Sequence, residues 1–215
     1  GKTLPYRHTL WYHRTFTIPR DWHGQNIVLN FGAVDWQARV YVNGTLAGSH
    51  TGGYTPFSID ITSYLNGDGE QTLELAVTDP SDRGYQPRGK QVADPNGIWY
   101  TSVSGIWQTV WLEPVSANHI TAVKAIPDLA ENVIRTTVST SGQSTASRLS
   151  ITLWEQGKII AETTAAAGEE VLIPVANPQL WSPDSPFLYD LRITLTHNGR
   201  TMDQVASYTA MRSIG

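Results

Sequence analysis

Cysteine is absent from all 215 residues. That removes disulfides, thiolate metal sites and cysteine nucleophiles from consideration, and it suits the cytoplasm or the periplasm of a bacterium without choosing between them. No apolar run approaches the roughly 18 residues that a membrane helix requires, and no charged-then-apolar signal segment opens the chain, so no membrane partner is expected. Charge is scarce: 16% of residues carry it, against a usual quarter. The net charge is −4, and no stretch gathers one sign. A nucleic-acid footprint would need a basic face, and none shows. Phenylalanine is rare, with four residues, while tryptophan and tyrosine number eight and nine. These two side chains join a flat apolar face to a polar tip. That suits a sandwich core, and it equally suits sugar recognition, where a ring covers the C–H face of a pyranose. With 40% hydrophobic residues the chain can fill a core, so wholesale disorder is not expected.

The prevailing period is two. Ile27, Leu29 and Phe31 alternate with Val28 and Asn30, and Trp36, Ala38, Val40 and Val42 with Gln37, Arg39 and Tyr41. Leu73, Leu75 and Val77 continue the pattern, which is that of half-buried strands. Asn43-Gly44 sits between two such runs and favours a tight primed hairpin turn. Asn66-Gly67-Asp68-Gly69 is read the same way between Tyr64-Leu65 and the strand at Leu73. After Pro114 the alternation resumes at Ile134–Val138, Leu149–Leu153, Val171–Val175, Tyr189–Leu195 and Met202–Tyr208, with turns at Gln156-Gly157 and Asn198-Gly199. About seven short strands in the second half fit an immunoglobulin-like sandwich without its disulfide. No stretch carries a helical stripe of ten residues, and the halves show no internal repeat. The boundary is predicted between Pro114 and Ile120, giving domains 1–117 and 118–215. Ser139 to Ser147, rich in Ser, Thr and Gly, reads as a loop within the second.

One segment, Asp79 to Ser102, shows no period. A strand-rich scaffold presenting one long polar and aromatic loop usually does its binding or chemistry there. Gln86-Pro87-Arg88-Gly89-Lys90-Gln91 sets two cations on a Pro- and Gly-shaped turn, and Asp94-Pro95-Asn96-Gly97-Ile98-Trp99-Tyr100 sets donors and acceptors beside aromatic rings. Arg88, Lys90, Asp94, Asn96, Trp99 and Tyr100 together make a chemically sensible sugar site: polar groups read hydroxyls while a ring covers the apolar face. The competing reading is a solvated loop with Trp99 packed inward.

No catalytic constellation stands out. Asp79, Asp82 and Asp94 share the loop and Glu113 closes its last strand, so paired carboxylates for glycoside cleavage are formally present. Asp79-Pro80 and Asp94-Pro95 read better as turn dipeptides, and Asp82 beside Arg83 as a solvated charge. A cation held by these carboxylates matches no calcium-loop spacing. His8, His13, His23, His50, His119 and His197 lack the i, i+4 spacing of a zinc helix. Gly67-Asp68-Gly69 has no strand–glycines–helix context for phosphate. Asn43-Gly44-Thr45 matches a glycosylation acceptor, but the turn accounts for it. No metal and no organic cofactor is expected.

Five motifs in order carry a resemblance. Leu10-Trp11-Tyr12-His13-Arg14-Thr15-Phe16 is similar to the first strong strand of glycoside hydrolase family 2, the family of β-galactosidases, β-glucuronidases and β-mannosidases. Phe31-Gly32-Ala33-Val34-Asp35 and Val40-Tyr41-Val42-Asn43-Gly44 resemble its central strands and hairpin. Gly52-Gly53-Tyr54-Thr55-Pro56-Phe57 with Ile59-Asp60-Ile61-Thr62 resembles its next block. Ser104-Gly105-Ile106-Trp107 is the most specific match. Leu180-Trp181-Ser182-Pro183-Asp184 with Pro186-Phe187-Leu188-Tyr189 resembles the signature near the end of the second domain.

The resemblance implies an all-β fold: a jelly-roll, galactose-binding-like β-sandwich followed by an immunoglobulin-like β-sandwich acting as a spacer. Its catalytic unit is a third domain, a TIM barrel with an acid/base and a nucleophile Glu in a retaining site. A barrel needs at least about 200 residues of its own, and Met211-Arg212-Ser213-Ile214-Gly215 falls where it would begin. No catalytic residue is therefore expected in this chain. Gly1-Lys2-Thr3-Leu4-Pro5 reads as a start inside a longer protein, with early strands preceding it in relatives. Several relatives place an Asp six residues before the glycine of the Ser-Gly-Ile block, reaching into the barrel's pocket. Here that position is Trp99, which would stack on a sugar or line the pocket wall, with Asp94 and Asn96 supplying polarity. The implied partners are a β-linked glycoside and the barrel. The competing functions are a free-standing lectin-like or adhesion module, with measurable sugar affinity of its own, and a structural protein whose loop docks a partner. The loop is expected to be partly mobile without its barrel.

Overall fold

The computed structural model describes residues 8–142 and 146–213. The opening Gly1–Pro5 motif, the centre of the Ser139–Ser147 loop and residues 214–215 lie outside the described residues. Backbone contacts divide the chain into two compact units, one ending at Pro114 and the other beginning at Val115.

The first unit runs β1 (Thr9–Thr17), β2 (Asn26–Phe31), β3 (Val34–Asp35), β4 (Gln37–Val42), β5 (Thr45–Thr51), β6 (Phe57–Asp60), β7 (Glu70–Thr78), β8 (Gln91–Val92), β9 (Tyr100–Thr101), β10 (Gly105–Ile106) and β11 (Val110–Val115). A four-stranded sheet, β1-β7-β4-β5, faces a three-stranded one, β11-β2-β6, and β3 pairs with β10. This is a jelly-roll sandwich. The alternating residues do what their period demands: Ile27, Leu29, Phe31, Ala38, Val40, Val42, Leu75 and Val77 are buried at 2% exposure or less. Phe31 stacks on Phe57 with centroids 4.6 Å apart. Trp36 departs from the expected strand, because the chain breaks between β3 and β4 there.

Asn43 and Gly44 both take positive φ, 48° and 76°, and Val42 faces Thr45. That is the primed two-residue hairpin expected of Asn-Gly. Gln156-Gly157 and Asn198-Gly199 repeat it with nearly the same angles. The Asn66–Gly69 turn differs from expectation: Thr62–Tyr64 is a single 3-10 turn rather than a strand, so the segment links that turn to β7.

Among the described residues the second unit holds seven strands: β12 (Ile120–Asp128), β13 (Val133–Thr140), β14 (Ser147–Glu155), β15 (Lys158–Ala165), β16 (Glu170–Pro174), β17 (Tyr189–His197) and β18 (Arg200–Thr209). They form sheets ordered β12-β13-β16 and β15-β14-β17-β18, an immunoglobulin-like sandwich. Ile134, Val138, Leu149, Ile151, Leu153, Ile173, Leu191, Ile193 and Leu195 fill its core at 1% exposure or less. No cystine crosses this core. Instead Tyr189, fully buried at the start of β17, accepts the Gln179 N–H on its hydroxyl at 2.7 Å, a corner device common in such sandwiches.

Candidate functional site

The loop between β7 and β10 is held by its own side chains. Asp79, the first residue after β7, is buried, and its carboxylate accepts the Ser81 N–H at 2.7 Å and the Ser104 hydroxyl at 2.6 Å. The loop's entry and exit are thereby tied together. Gln86 Nε2 donates to the Ser81 carbonyl at 2.7 Å, Arg88 Nη1 to the Asp82 carbonyl at 2.7 Å, and Ala93 N–H to the Asp82 carboxylate at 3.2 Å. Gln91 accepts the Val103 N–H at 2.7 Å. Within the loop β8 and β9 pair in parallel, Gln91 opposite Tyr100 and Val92 opposite Thr101. Sequence periodicity cannot reveal a pairing of two residues, since no alternation develops over that length.

This scaffold sorts the six predicted site residues. Lys90, Asp94, Asn96, Trp99 and Tyr100 are exposed on the far part of the loop. The Trp99 backbone N–H donates to the Asn96 carbonyl at 3.0 Å, and the residue leaves 41% of its surface free; Ile98, Tyr100 and Val103 beside it are at least 65% exposed. An apolar tip therefore faces outward. Arg88 is separated from that group. It turns inward, lining a tight pocket with Asp35, Asp79, Ser81, Gln86, Gln91 and Ser102. Asp82, expected as a solvated charge, staples the loop through both its carbonyl and its carboxylate.

At the loop's root the Ser-Gly-Ile-Trp segment shows why it needs those residues. Gly105 sits at φ +105°, and a Cβ there would strike the Tyr12 hydroxyl. That hydroxyl instead accepts the Ile106 N–H at 3.2 Å. Trp107 donates its indole N–H to the Gly53 carbonyl at 2.7 Å and meets Tyr54 edge-on at 5.8 Å. The Ser-Gly-Ile-Trp and Gly-Gly-Tyr blocks thus touch.

The sequence reading passed over Asp35. It lies on β3 opposite Gly105 of β10, 8% exposed, and Gly53 packs so closely that a Cβ on it would collide with the carboxylate. Burial first, and then the neighbouring Asp79 carboxylate, push the Asp35 pKa up to about 6. The available signal was a charge at the end of the apolar run Phe31–Val34, followed later by a Gly-Gly pair.

A cavity of about 360 Å³ lies elsewhere in this unit, lined by Phe16, Trp22, Leu29, Leu73, Val110 and Leu112 among others. It is apolar, and the residues lining it come from the sandwich rather than from the loop. Among the described residues no three His, Asp or Glu side chains gather to hold a metal.

The chain matches the sugar-binding domain of glycosyl hydrolases family 2 over residues 3–114 and a second family 2 domain over residues 118–212. It belongs to glycosyl hydrolases family 2. A β-galactosidase of Thermoanaerobacter pseudethanolicus is 30% identical over 99% of this chain, and a β-galactosidase of Bacteroides ovatus is 28% identical over 94%. The chain covers 29% and 24% of those proteins, so it spans only about a quarter of their length. The crystal structure of Ruminococcus gnavus β-glucuronidase superposes with a TM-score of 0.80 over 95% of this chain and 36% of that one, at 23% identity, a likeness of fold.

Proposed function

We propose that this chain is the non-catalytic N-terminal portion of a retaining β-glycosidase, with the first sandwich lending its 79–102 loop to the substrate cleft and the second serving as a spacer. The observation that carries this reading is the loop itself: it is stapled by six side-chain hydrogen bonds, yet turns Ile98, Trp99, Tyr100 and Val103 outward. Ordering large aromatic side chains in water has no benefit to folding, so such a tip suits a partner surface. Membership of family 2 and the galactosidase and glucuronidase names of the relatives support a β-linked glycoside as substrate and a barrel as the catalytic partner.

In this reading Trp99 stacks on the sugar or lines the pocket wall, and Tyr100, Asp94, Asn96 and Lys90 surround it. Arg88 acts from behind, holding the turn through the Asp82 carbonyl. The glutamate pair that cleaves the bond belongs to the barrel.

The test uses the full-length protein on a panel of aryl β-glycosides. Trp99→Ala is expected to lower kcat/KM roughly 10- to 100-fold, the scale of losing one positioning contact, with the β-anomer as first product by NMR. The 215-residue chain alone is expected to hydrolyse none of them. Unchanged kcat/KM in the variant would remove the loop from the cleft, and millimolar or tighter sugar binding by the isolated chain would favour a free-standing lectin-like module.

A further inference from the structure

Five large apolar side chains stand exposed between Ile98 and Trp107: Ile98, Tyr100 and Val103 at 65% or more, Trp99 at 41% and Trp107 at 49%. A sixth, Tyr54 in the turn between β5 and β6, is 50% exposed and meets the Trp107 ring edge-on at 5.8 Å. The Tyr54–Trp107 pair adjoins the root of the loop. Trp107 is fixed twice, by its backbone N–H on the Ala33 carbonyl at 3.3 Å and its indole N–H on the Gly53 carbonyl at 2.7 Å. Gly53 presses on Asp35, and Asp35 lines the pocket under the loop with Arg88, Gln91 and Ser102. Gln91 in turn accepts the Val103 N–H. A sugar site needs free polar groups beside its rings to read hydroxyls. Around this pair such groups are spent inside the domain. The indole N–H is on Gly53, His50 Nε2 is bonded to the Thr55 hydroxyl at 3.0 Å, and Asp35 is buried. Ring faces are left, and they are held in place before anything binds. Fixed aromatic rings with charge depleted around them are the makings of a protein interface core, because little freedom is lost on binding. A single exposed apolar residue needs no partner, but a group of them marks an interaction surface.

We infer that the Tyr54–Trp107 face docks the catalytic domain of the parent chain. It adjoins the loop but differs from it in role: Trp99 and its polar neighbours meet substrate, while Tyr54 and Trp107 hold the domain that cleaves it. This rests on the reading of the chain as one portion of a longer glycosidase. The chain spans about a quarter of the length of its β-galactosidase relatives, so most of a protein of that size lies outside the two sandwiches and can cover this face. Gly105 and Gly53 serve the same end. One makes room for Tyr12 under the Ser-Gly-Ile-Trp segment, and the other lets the β5–β6 turn approach Asp35 and receive the indole. Together they set Trp107 where its ring is half in solvent with its donor already satisfied.

The experiment compares the full-length protein with the 215-residue chain by hydroxyl-radical footprinting, which reads the solvent access of each side chain. Oxidation of Tyr54 and Trp107 is expected to slow roughly fivefold or more in the full-length protein, as for rings moved into the desolvated centre of an interface. Equal rates in both proteins would overturn the proposal. Protection within the 215-residue chain that grows with its concentration would assign the face to a second copy and overturn it too. So would protection that appears only when sugar is added. Tyr54→Asp is then compared in both proteins by thermal denaturation. Its midpoint should fall further in the full-length protein, because only there is the new charge buried against a partner. An equal fall in both would overturn the assignment of Tyr54, and if the variant fails to fold the wild-type footprint still decides. The footprint involves no hydrolysis, so its failure is distinct from that of the cleft reading, which shows as an unchanged kcat/KM in Trp99→Ala.

Discussion

At the scale of single residues, the loop root depends on contacts that leave no slack. Gly105 combines a backbone angle that L side chains avoid with an occupied space where Cβ would sit. Gly105→Ala is expected to cost roughly 2–4 kcal/mol, the sum of backbone strain and a steric clash, measured as a shift in denaturation midpoint without a change in slope. Trp107→Phe removes the indole donor to the Gly53 carbonyl while keeping an aromatic ring. It should cost about 1 kcal/mol, the net worth of one hydrogen bond. A loss below about 0.3 kcal/mol in the same denaturation assay would mean that water replaces the bond without penalty. Both residues lie in the motif that stood out in the sequence. The sequence showed that Ser104-Gly105-Ile106-Trp107 matters; it did not show that the glycine makes room for Tyr12 or that the indole reaches Gly53.

At the scale of elements, the loop divides into a root and a tip. The root is fastened by buried carboxylate bonds, and the tip is solvent-exposed. Asp79→Ala strands Ser81 N–H and Ser104 Oγ in a buried place, so a loss of about 1–3 kcal/mol is expected, the penalty of unsatisfied buried donors. Trp99→Ala and Tyr100→Ala, on the tip, should stay within about 0.5 kcal/mol of the parent in stability. Chemical denaturation of the three variants distinguishes root from tip: equal losses at all three would mean that the tip packs as core. The internal network bears on the expectation of a partly mobile loop. Hydrogen exchange should show slow amides at Ser81 and Val103 and fast ones across residues 94–98, because the former are tied to buried or stapling side chains. In the second unit, Arg135 on β13 gathers Asp128 at 3.0 Å and Glu131 at 2.7 Å across the turn from β12. Exposed pairs of this kind contribute little to stability.

At the scale of the whole molecule, each unit has its own core. Residues 8–114 and 115–213 expressed separately are each expected to give β-rich circular dichroism and cooperative unfolding, and a half that remains unfolded would show that its core is insufficient alone. Their acid responses should run in opposite directions. In the first unit the Asp35 pKa is raised by burial and by Asp79, so stability declines as pH rises from about 4 through 6. In the second, the hydrogen bonds and charge of Arg135 hold the Asp128 pKa below its ordinary value, so its contribution is present above about pH 4 and is lost as pH falls further. Denaturation midpoints of the two halves between pH 3 and 7 check both signs. A first unit that gains stability across pH 4–6 would contradict the raised Asp35 pKa.

Much of the fold could be read along the chain, because the information is local. Alternation at Ile27–Phe31, Leu73–Val77 and Tyr189–Leu195 places one face of each strand in a core, and Asn-Gly or Gln-Gly at three hairpins sets φ positive with no help from distant residues. The all-β class, the two sandwiches and membership of family 2 follow from such signals and from motifs in order. What only the tertiary structure decided concerns charges. Arg88 and Lys90 look alike in sequence, yet one turns into the loop's root and the other faces solvent. Asp79 reads as a turn dipeptide and is one, but it is also buried beside Asp35 from another strand. The physical reason is that backbone angles depend on neighbours in the chain, whereas the burial and proton affinity of a carboxyl depend on neighbours in space, and β3, β10 and the loop meet only after the sandwich has closed.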